Sequence, residues 1–333
     1  MRERFPHLVV ADPAMKAVLR QAAELARSDL DAVLIGETGV GKEVVARGIH
    51  RLSRRAREPF IAINVAAIPE PLLESELFGH ERGAFTGAER RRVGLMERAH
   101  RGTLFLDELG YLPQSMQPKL LRVLEEKAFW RVGGRELIHV DVRVLAATER
   151  DLSELVRRGR FIAALAHRFA VRISIPPLRE RRADIPVLVE HFLRVYGQKY
   201  HKRVTAVSAE ARAMLCEYDW PGNVRQLRQV VEWAVVQAGP RARRLTVREI
   251  RSALGEGAAG SLVESRVWEE WDELTVEEIL RRVVVRRLRR WGGHRGRAAE
   301  SLGISRERLR RWCRQWGIDP EAMAKASRER DRT

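Results

Sequence analysis

The stretch AVLIGETGVGKE, residues 32–43, joins a short apolar run to an amphipathic one that continues through Val44, Val45 and Ile49. That order reads as buried strand, glycine loop and helix. Gly36, Gly39 and Gly41 free the backbone so that N–H groups can curl around phosphate oxygens at a helix N-terminus, and Lys42 adds a positive charge for the β and γ phosphates. The whole loop is therefore a candidate nucleotide cradle: Gly36, Glu37, Thr38, Gly39, Val40, Gly41, Lys42 and Glu43. An unused glycine turn is the plainer alternative, and the flanking strand and helix count against it. The general phosphate-loop pattern wants Ser or Thr after the lysine to ligate magnesium, whereas this chain has Glu43.

GTLFLDELG supplies a second buried strand, ending in Asp107 and Glu108. Two acids at a strand terminus can divide the labour of hydrolysis. Asp107 is the candidate for holding Mg, and Glu108 for orienting and deprotonating the attacking water. A solvated acidic turn is the alternative, common alone and less so beside a phosphate loop. Asn64 ends another apolar segment, FIAIN, and is a candidate for restraining Glu108 by a hydrogen bond.

Between the two halves of that site lies GAFTGA, comprising Gly83, Ala84, Phe85, Thr86, Gly87 and Ala88. It holds nothing that hydrolyses phosphate. A bulky apolar side chain between glycines reads either as a buried turn plugged by Phe85 or as a loop that a motor moves.

Together these residues resemble the AAA+ bacterial enhancer-binding proteins, which activate RNA polymerase carrying sigma-54. The likeness runs through GETGVGKE, ELFGHERGAFTGA, GTLFLDELG, KLLRVLEE, RVGG, PPLRER and WPGNVRQL, and on into a C-terminal Fis-type helix-turn-helix. It implies an α/β P-loop NTPase core with a parallel sheet, a helical lid and a separate all-α DNA-binding domain. It also implies a homo-oligomer, from dimer to hexameric ring, with ATP and Mg bound between subunits. By that resemblance Lys42 binds phosphate, Asp107 holds magnesium, Glu108 activates water and Asn64 is the switch that restrains it. Phe85 and Thr86 touch sigma-54, and Arg168 reaches the γ-phosphate of a neighbouring subunit. Arg225 in WPGNVRQL is either the nucleotide-sensing lid arginine or simply the cap of a lid helix.

Two departures from the family pattern bear on rate. The second arginine expected after Phe161 is absent, because the chain reads Ile162, Ala163, Ala164. An arginine finger is worth about 10³ to 10⁵ in rate, so turnover slows unless Arg168 or nearby Arg160 substitutes. Glu149 also replaces the asparagine that senses the γ-phosphate, and a carboxylate there repels phosphate unless a cation such as Arg150 or Arg160 pairs with it.

The elements that position these groups need room, and 333 residues suffice for a core and two smaller modules. The expected division is 1–172 for the ATPase core, 173–252 for the lid, 253–275 for a linker, 276–320 for the helix-turn-helix and 321–333 for a polar tail that frays. A net charge of +17 points to a polyanionic partner, and residues 281–333 carry 17 Lys or Arg against 6 Asp or Glu. Val276, Ile279, Leu280, Val283, Val284 and Leu288 recur at helical steps. A second helix after a turn at Gly303 is expected to start near Ser305. On it Leu309, Trp312, Cys313 and Trp316 form an apolar face, while Arg306, Arg310 and Arg314 line another that suits double-stranded DNA. A solvated arginine face is the competing reading.

No apolar run approaches bilayer length and no signal-peptide core opens the chain, so no membrane is expected and a cytoplasmic location is. The 2 cysteines, Cys216 and Cys313, read as reduced core thiols, and no zinc cluster stands out. His80 and His100 read as structural. Trp130 reads either as core or as part of a second loop beside GAFTGA. The likeness begins almost at Met1, which leaves no room for a receiver or sensor domain ahead of it. Either control lies elsewhere or such a domain has been lost. The expected function is an ATP-hydrolysing activator that binds enhancer DNA and remodels sigma-54 polymerase through GAFTGA. The rival is a DNA-binding regulator that holds ATP structurally.

Overall fold

The computed structural model describes residues 8–85, 88–255, 278, 281, 284, 285, 287, 288, 294–301 and 304–319. The chain divides into two compact units, Met1–Gly257 and Ala258–Thr333.

Five strands build the central sheet of the first unit: β1 (Ala32–Ile35), β2 (Phe60–Asn64), β3 (Thr103–Asp107), β4 (Arg143–Thr148) and β5 (Val171–Ser174). They are all parallel, in the order β2-β3-β4-β1-β5. A parallel sheet covered on both faces requires strands that are apolar on both sides, which is why these segments read as continuous hydrophobic runs. The two-residue period then sorts them. Val33, Leu104, Leu106, Val144 and Ala146 join one core cluster, while Ala32, Leu34, Phe105, Leu145 and Ala147 join the other.

Helix Pro13–Leu25 covers the second face; Asp12 caps it through the Ala14 N–H, and Met15, Val18, Leu19 and Ala22 form its buried stripe. Register matters for the site, because Asn64 pairs with Asp107 and Ile35 with Thr148, so that the carboxyl ends of four strands meet at one edge. Ligands bind at that edge in open parallel sheets.

The lid packs around its own core, with helices Asp184–Lys199, Ala209–Glu217 and Asn223–Gln237. Trp220 is its fully buried plug, and the indole N–H donates to the Leu215 carbonyl at 2.8 Å, so its one polar atom is satisfied. Both expected borders of the lid shift. The last sheet strand runs to Ser174, past residue 172, because Ile173 completes the sheet core. Ala253 and Leu254, assigned to the linker, are buried in the lid core.

In the second unit, helices Arg295–Ser301 and Arg306–Gln315 are described, and Ser305 caps the latter by accepting from the Arg308 N–H at 3.2 Å. Val284, Leu288, Ala298, Ala299, Leu309 and Cys313 form a small core, with Trp312 and Trp316 packed on it. Val276, Ile279, Leu280, Val283, Gly303, most of the expected linker and the 321–333 tail lie outside the described residues.

Candidate nucleotide site

The loop from Gly36 to Gly41 leaves β1 and enters helix Lys42–Leu52, anchored at its start by the Gly36 N–H, which donates to the Thr148 carbonyl of β4 at 3.2 Å. Gly41 has φ of 105°, a conformation that disfavours side chains, and a Cβ on Gly39 would stand 2.3 Å from the Gly222 carbonyl. Both glycines are thus dictated by geometry. Lys42 is only 6% exposed; its ammonium donates to the Gly36 carbonyl at 2.8 Å and lies 3.4 Å from Glu108 Oε1.

Asp107 and Glu108 end β3 facing that lysine. Asp107 Oδ1 accepts from the Glu108 N–H at 3.1 Å, and Glu108 adopts a left-handed φ of 58°. Burial pushes the Asp107 carboxyl above the ordinary range, against the pull of Lys42 and Arg225. Burial raises Glu108 too; Lys42 opposes it, while the negative charges of Glu149 and Asp107 add to the rise. The other carboxylate oxygen of Glu108, Oε2, is buried without a partner, as suits a group that would face a reacting water.

Asn64 ends its strand beside Asp107, and its Oδ1 accepts from the Ala66 N–H at 3.0 Å. Glu43 faces outward and forms an ion pair with Arg47 at 2.7 Å. Glu149 accepts from the Thr38 hydroxyl at 2.6 Å and the Tyr111 hydroxyl at 3.4 Å. Neither arginine proposed for it takes that role: Arg150 lies over the Tyr111 ring at 3.4 Å, and Arg160 meets Gln117 through its carbonyl. Arg225 reaches the loop by its backbone, donating to the Gly39 carbonyl at 3.3 Å. Arg168 lies at the opposite end of the sheet, paired with buried Asp31 at 3.2 Å where β1 begins.

Gly83, Ala84, Phe85 and Ala88 lie in the connection between the short strands Gly79–His80 and Arg92–Val93. The Gly83 N–H donates to the Ala88 carbonyl at 2.8 Å and closes its neck; Thr86 and Gly87 lie outside the described residues. Phe85 is 41% exposed, which rules against the buried plug, with its ring edge-on to His80 at 5.0 Å. Trp130 is also exposed, beneath the Arg122 guanidinium at 4.3 Å.

Several contributors escaped sequence reasoning. Buried Arg131 pairs with Glu97 at 2.6 Å and Glu81 at 2.7 Å, tying the neck of the 83–88 loop to the RVGG turn, and these partners hold its pKa far above the ordinary value. Asn223 and Arg181 hold the phosphate loop from the lid. RVGG, PPLRER and WPGNVRQL drew attention to these segments, but not to the polar roles within them. On the second unit, Arg306, Arg310 and Arg314 are exposed on helix Arg306–Gln315, and Arg310 and Arg314 share a shallow pocket with Arg295 and Asp319.

A parallel sheet in this strand order, a phosphate-type loop at its carboxyl edge and a helical lid on that loop define a P-loop NTPase of the AAA+ class. The Sigma-54 interaction domain matches residues 8–174, and the AAA+ ATPase lid domain matches residues 179–265. The regulatory protein AtoC of Escherichia coli K12 is 42% identical over 95% of this chain and 69% of its own length. The DNA-binding transcriptional regulator NtrC of the same strain is 40% identical over 92% of this chain and 69% of its own. The crystal structure of NtrX from Brucella abortus in complex with ATP superposes with a TM-score of 0.67 at 34% identity, over 95% of this chain and 71% of that one. An ADP complex of NtrX gives the same TM-score of 0.67. The chain belongs to the family of sigma-54-dependent transcriptional activators. Among the described residues, no helix is long and apolar enough to cross a membrane.

Proposed function

We propose that this protein hydrolyses ATP and uses the hydrolysis to remodel sigma-54 RNA polymerase at promoters, while its C-terminal helices hold enhancer DNA. The observation that carries this reading is the convergence of Lys42, Asp107 and Glu108 on one phosphate-type loop, with the Lys42 ammonium 3.4 Å from a carboxylate that keeps a second oxygen unpartnered. The ATP and ADP complexes of NtrX support the reading that this fold takes a nucleotide.

Lys42, released from the Gly36 carbonyl, would neutralise the β and γ phosphates. Glu108 would accept the proton of the attacking water, and the sheet register sets Asp107 beside Asn64. Asp107 fits magnesium, since its carboxylate is half-buried at the loop and Mg²⁺ commonly takes one protein carboxylate together with phosphate oxygens and water. The ion would supply charge neutralisation on the transferring phosphoryl group. No group of three metal-type ligands occurs among the described residues, which suits an ion carried in with its nucleotide.

Arg168 would act on the site of a neighbouring copy in a homo-oligomeric ring, because it stands at the sheet end away from its own phosphate loop. Phe85, exposed to solvent, would press on sigma-54. A second reading, ATP as a structural ligand, is favoured by Ile162, which packs against the core where the family offers an arginine.

Glu108→Gln tests the main reading: ATP binding is retained while phosphate release and promoter opening are lost. Unchanged turnover would remove Glu108 from the mechanism. Phosphate release that rises cooperatively with protein concentration favours the ring motor, and a flat response near zero favours the structural ligand.

A further inference from the structure

We infer that Asn223, together with Arg181, is a positioning residue that presets the phosphate loop by holding its carbonyls turned away from the phosphates. The inference rests on the nucleotide reading above and assigns to the lid a role that does not pass through bound nucleotide.

Three successive loop carbonyls each receive a donor from the lid. Asn223 Nδ2 donates to Thr38 O at 3.0 Å, the Arg225 N–H to Gly39 O at 3.3 Å, and Arg181 Nη2 to Val40 O at 2.7 Å. A trans peptide sets its C=O and N–H on opposite sides, so a carbonyl drawn toward the lid sends the next N–H the other way. Holding Thr38 O and Val40 O therefore aims the N–H groups of Gly39 and Gly41 away from the lid contacts. The Val40 N–H is already spent on the Glu37 carbonyl at 3.4 Å, within the turn.

Asn223 is built for this task. It is completely buried, and its amide has a partner on each side: Oδ1 accepts from the Leu178 N–H at 2.7 Å, and Nδ2 also donates to Glu37 Oε2 at 3.0 Å. Its φ of 51° is left-handed, a conformation in which Asn is among the few tolerated side chains. Glu37 is itself fixed by a forked pair with Arg179 at 2.6 and 2.9 Å. Arg181 is steadied by Asp184, 3.7 Å away and fully buried, which in turn accepts the N–H groups of Ala11 and Asp12. The close approach of Gly222 to Gly39 leaves no space for the loop to relax toward the lid. A loop prearranged in this way does not spend binding energy on ordering itself.

Asn223→Asp tests the inference, since it keeps the acceptor for Leu178 and tolerates the same φ but loses both donors. Adding Glu37→Gln removes the resulting like-charge contact while leaving the Thr38 carbonyl without its donor. ADP and AMP affinities are measured by calorimetry on the full chain, beside thermal melting. The expected result for both variants is ADP bound about tenfold more weakly and AMP within about twofold of wild type, and for Asn223→Asp alone a KM for ATP that rises while kcat holds. If neither variant folds, Arg181→Lys is read in the same way, because it removes the guanidinium fork that reaches Val40 O through Nη2 and Asp184 through Nη1. ADP affinity unchanged, or AMP weakened as much as ADP, overturns the inference. A wild-type protein that binds AMP, ADP and ATP undetectably overturns the nucleotide reading itself, and this inference with it.

Discussion

The Lys42 ammonium stands 3.4 Å from Glu108, yet the Glu108 carboxyl still has its pKa raised, so burial and neighbouring negative charge outweigh an adjacent cation. The site shifts the acid toward its neutral form, and drawing Lys42 away would strengthen that shift.

Turnover should therefore lose its base at a pH above the usual glutamate range as the solution is acidified. Glu149 is among the charges that raise Glu108. Glu149→Gln moves the acid limb of the kcat profile to lower pH. A pH–rate series at saturating ATP checks it; an acid limb that stays in place severs Glu149 from Glu108.

Stability carries the matching sign. A carboxyl whose folded pKa is raised contributes stability that is full below its unfolded pKa and lost as pH rises through the folded one. Glu108→Gln should thus melt higher than wild type at pH 7, and the gain should vanish below the ordinary glutamate range. Calorimetric scans at pH 7 and below that range decide it, and equal melting at pH 7 counts against a strained acid.

Arg168→Ala should lower turnover by about a thousandfold while ATP affinity at the chain's own loop stays near wild type. Chains carrying Lys42→Ala are equally inactive alone. Mixing the two should restore part of the turnover, because one copy keeps its loop and the other keeps its Arg168. An inactive mixture, with both variants folded and assembled, speaks against a shared site. Asp31 loses its partner at 3.2 Å in Arg168→Ala, so folding is monitored alongside.

Phe85→Ala should leave melting temperature and ATP turnover close to wild type, since a side chain already 41% exposed gives up little packing. Sigma-54-dependent transcription should disappear. Transcription assayed with purified polymerase provides the test, and retained activity removes Phe85 from the contact.

Arg310→Ala should weaken DNA binding and reduce its salt slope by about one counterion, as loss of a phosphate contact does. Binding measured across a salt series distinguishes this from unfolding, because exposed Arg310 lies outside the Leu309 and Cys313 core.

Much of this was legible in the amino-acid order. Glycine spacing before Lys42, two acids closing an apolar strand and a serine ahead of an arginine-lined helix are local signals. A parallel sheet also announces itself through runs that are apolar on both faces. The expected ends of the lid moved because Ile173, Ala253 and Leu254 follow burial rather than local composition.

The chain by itself set out the candidates: a glycine loop with a lysine, two acids closing a strand and a phenylalanine between glycines. Tertiary structure alone decided which partners those groups meet. Glu149 found hydroxyls instead of an arginine, Arg168 found Asp31, and Asn223 reached the Thr38 carbonyl across 185 positions of sequence. Hydrogen bonds and ion pairs act over about 3 Å of space, and sequence separation does not encode that distance until the sheet and lid have closed.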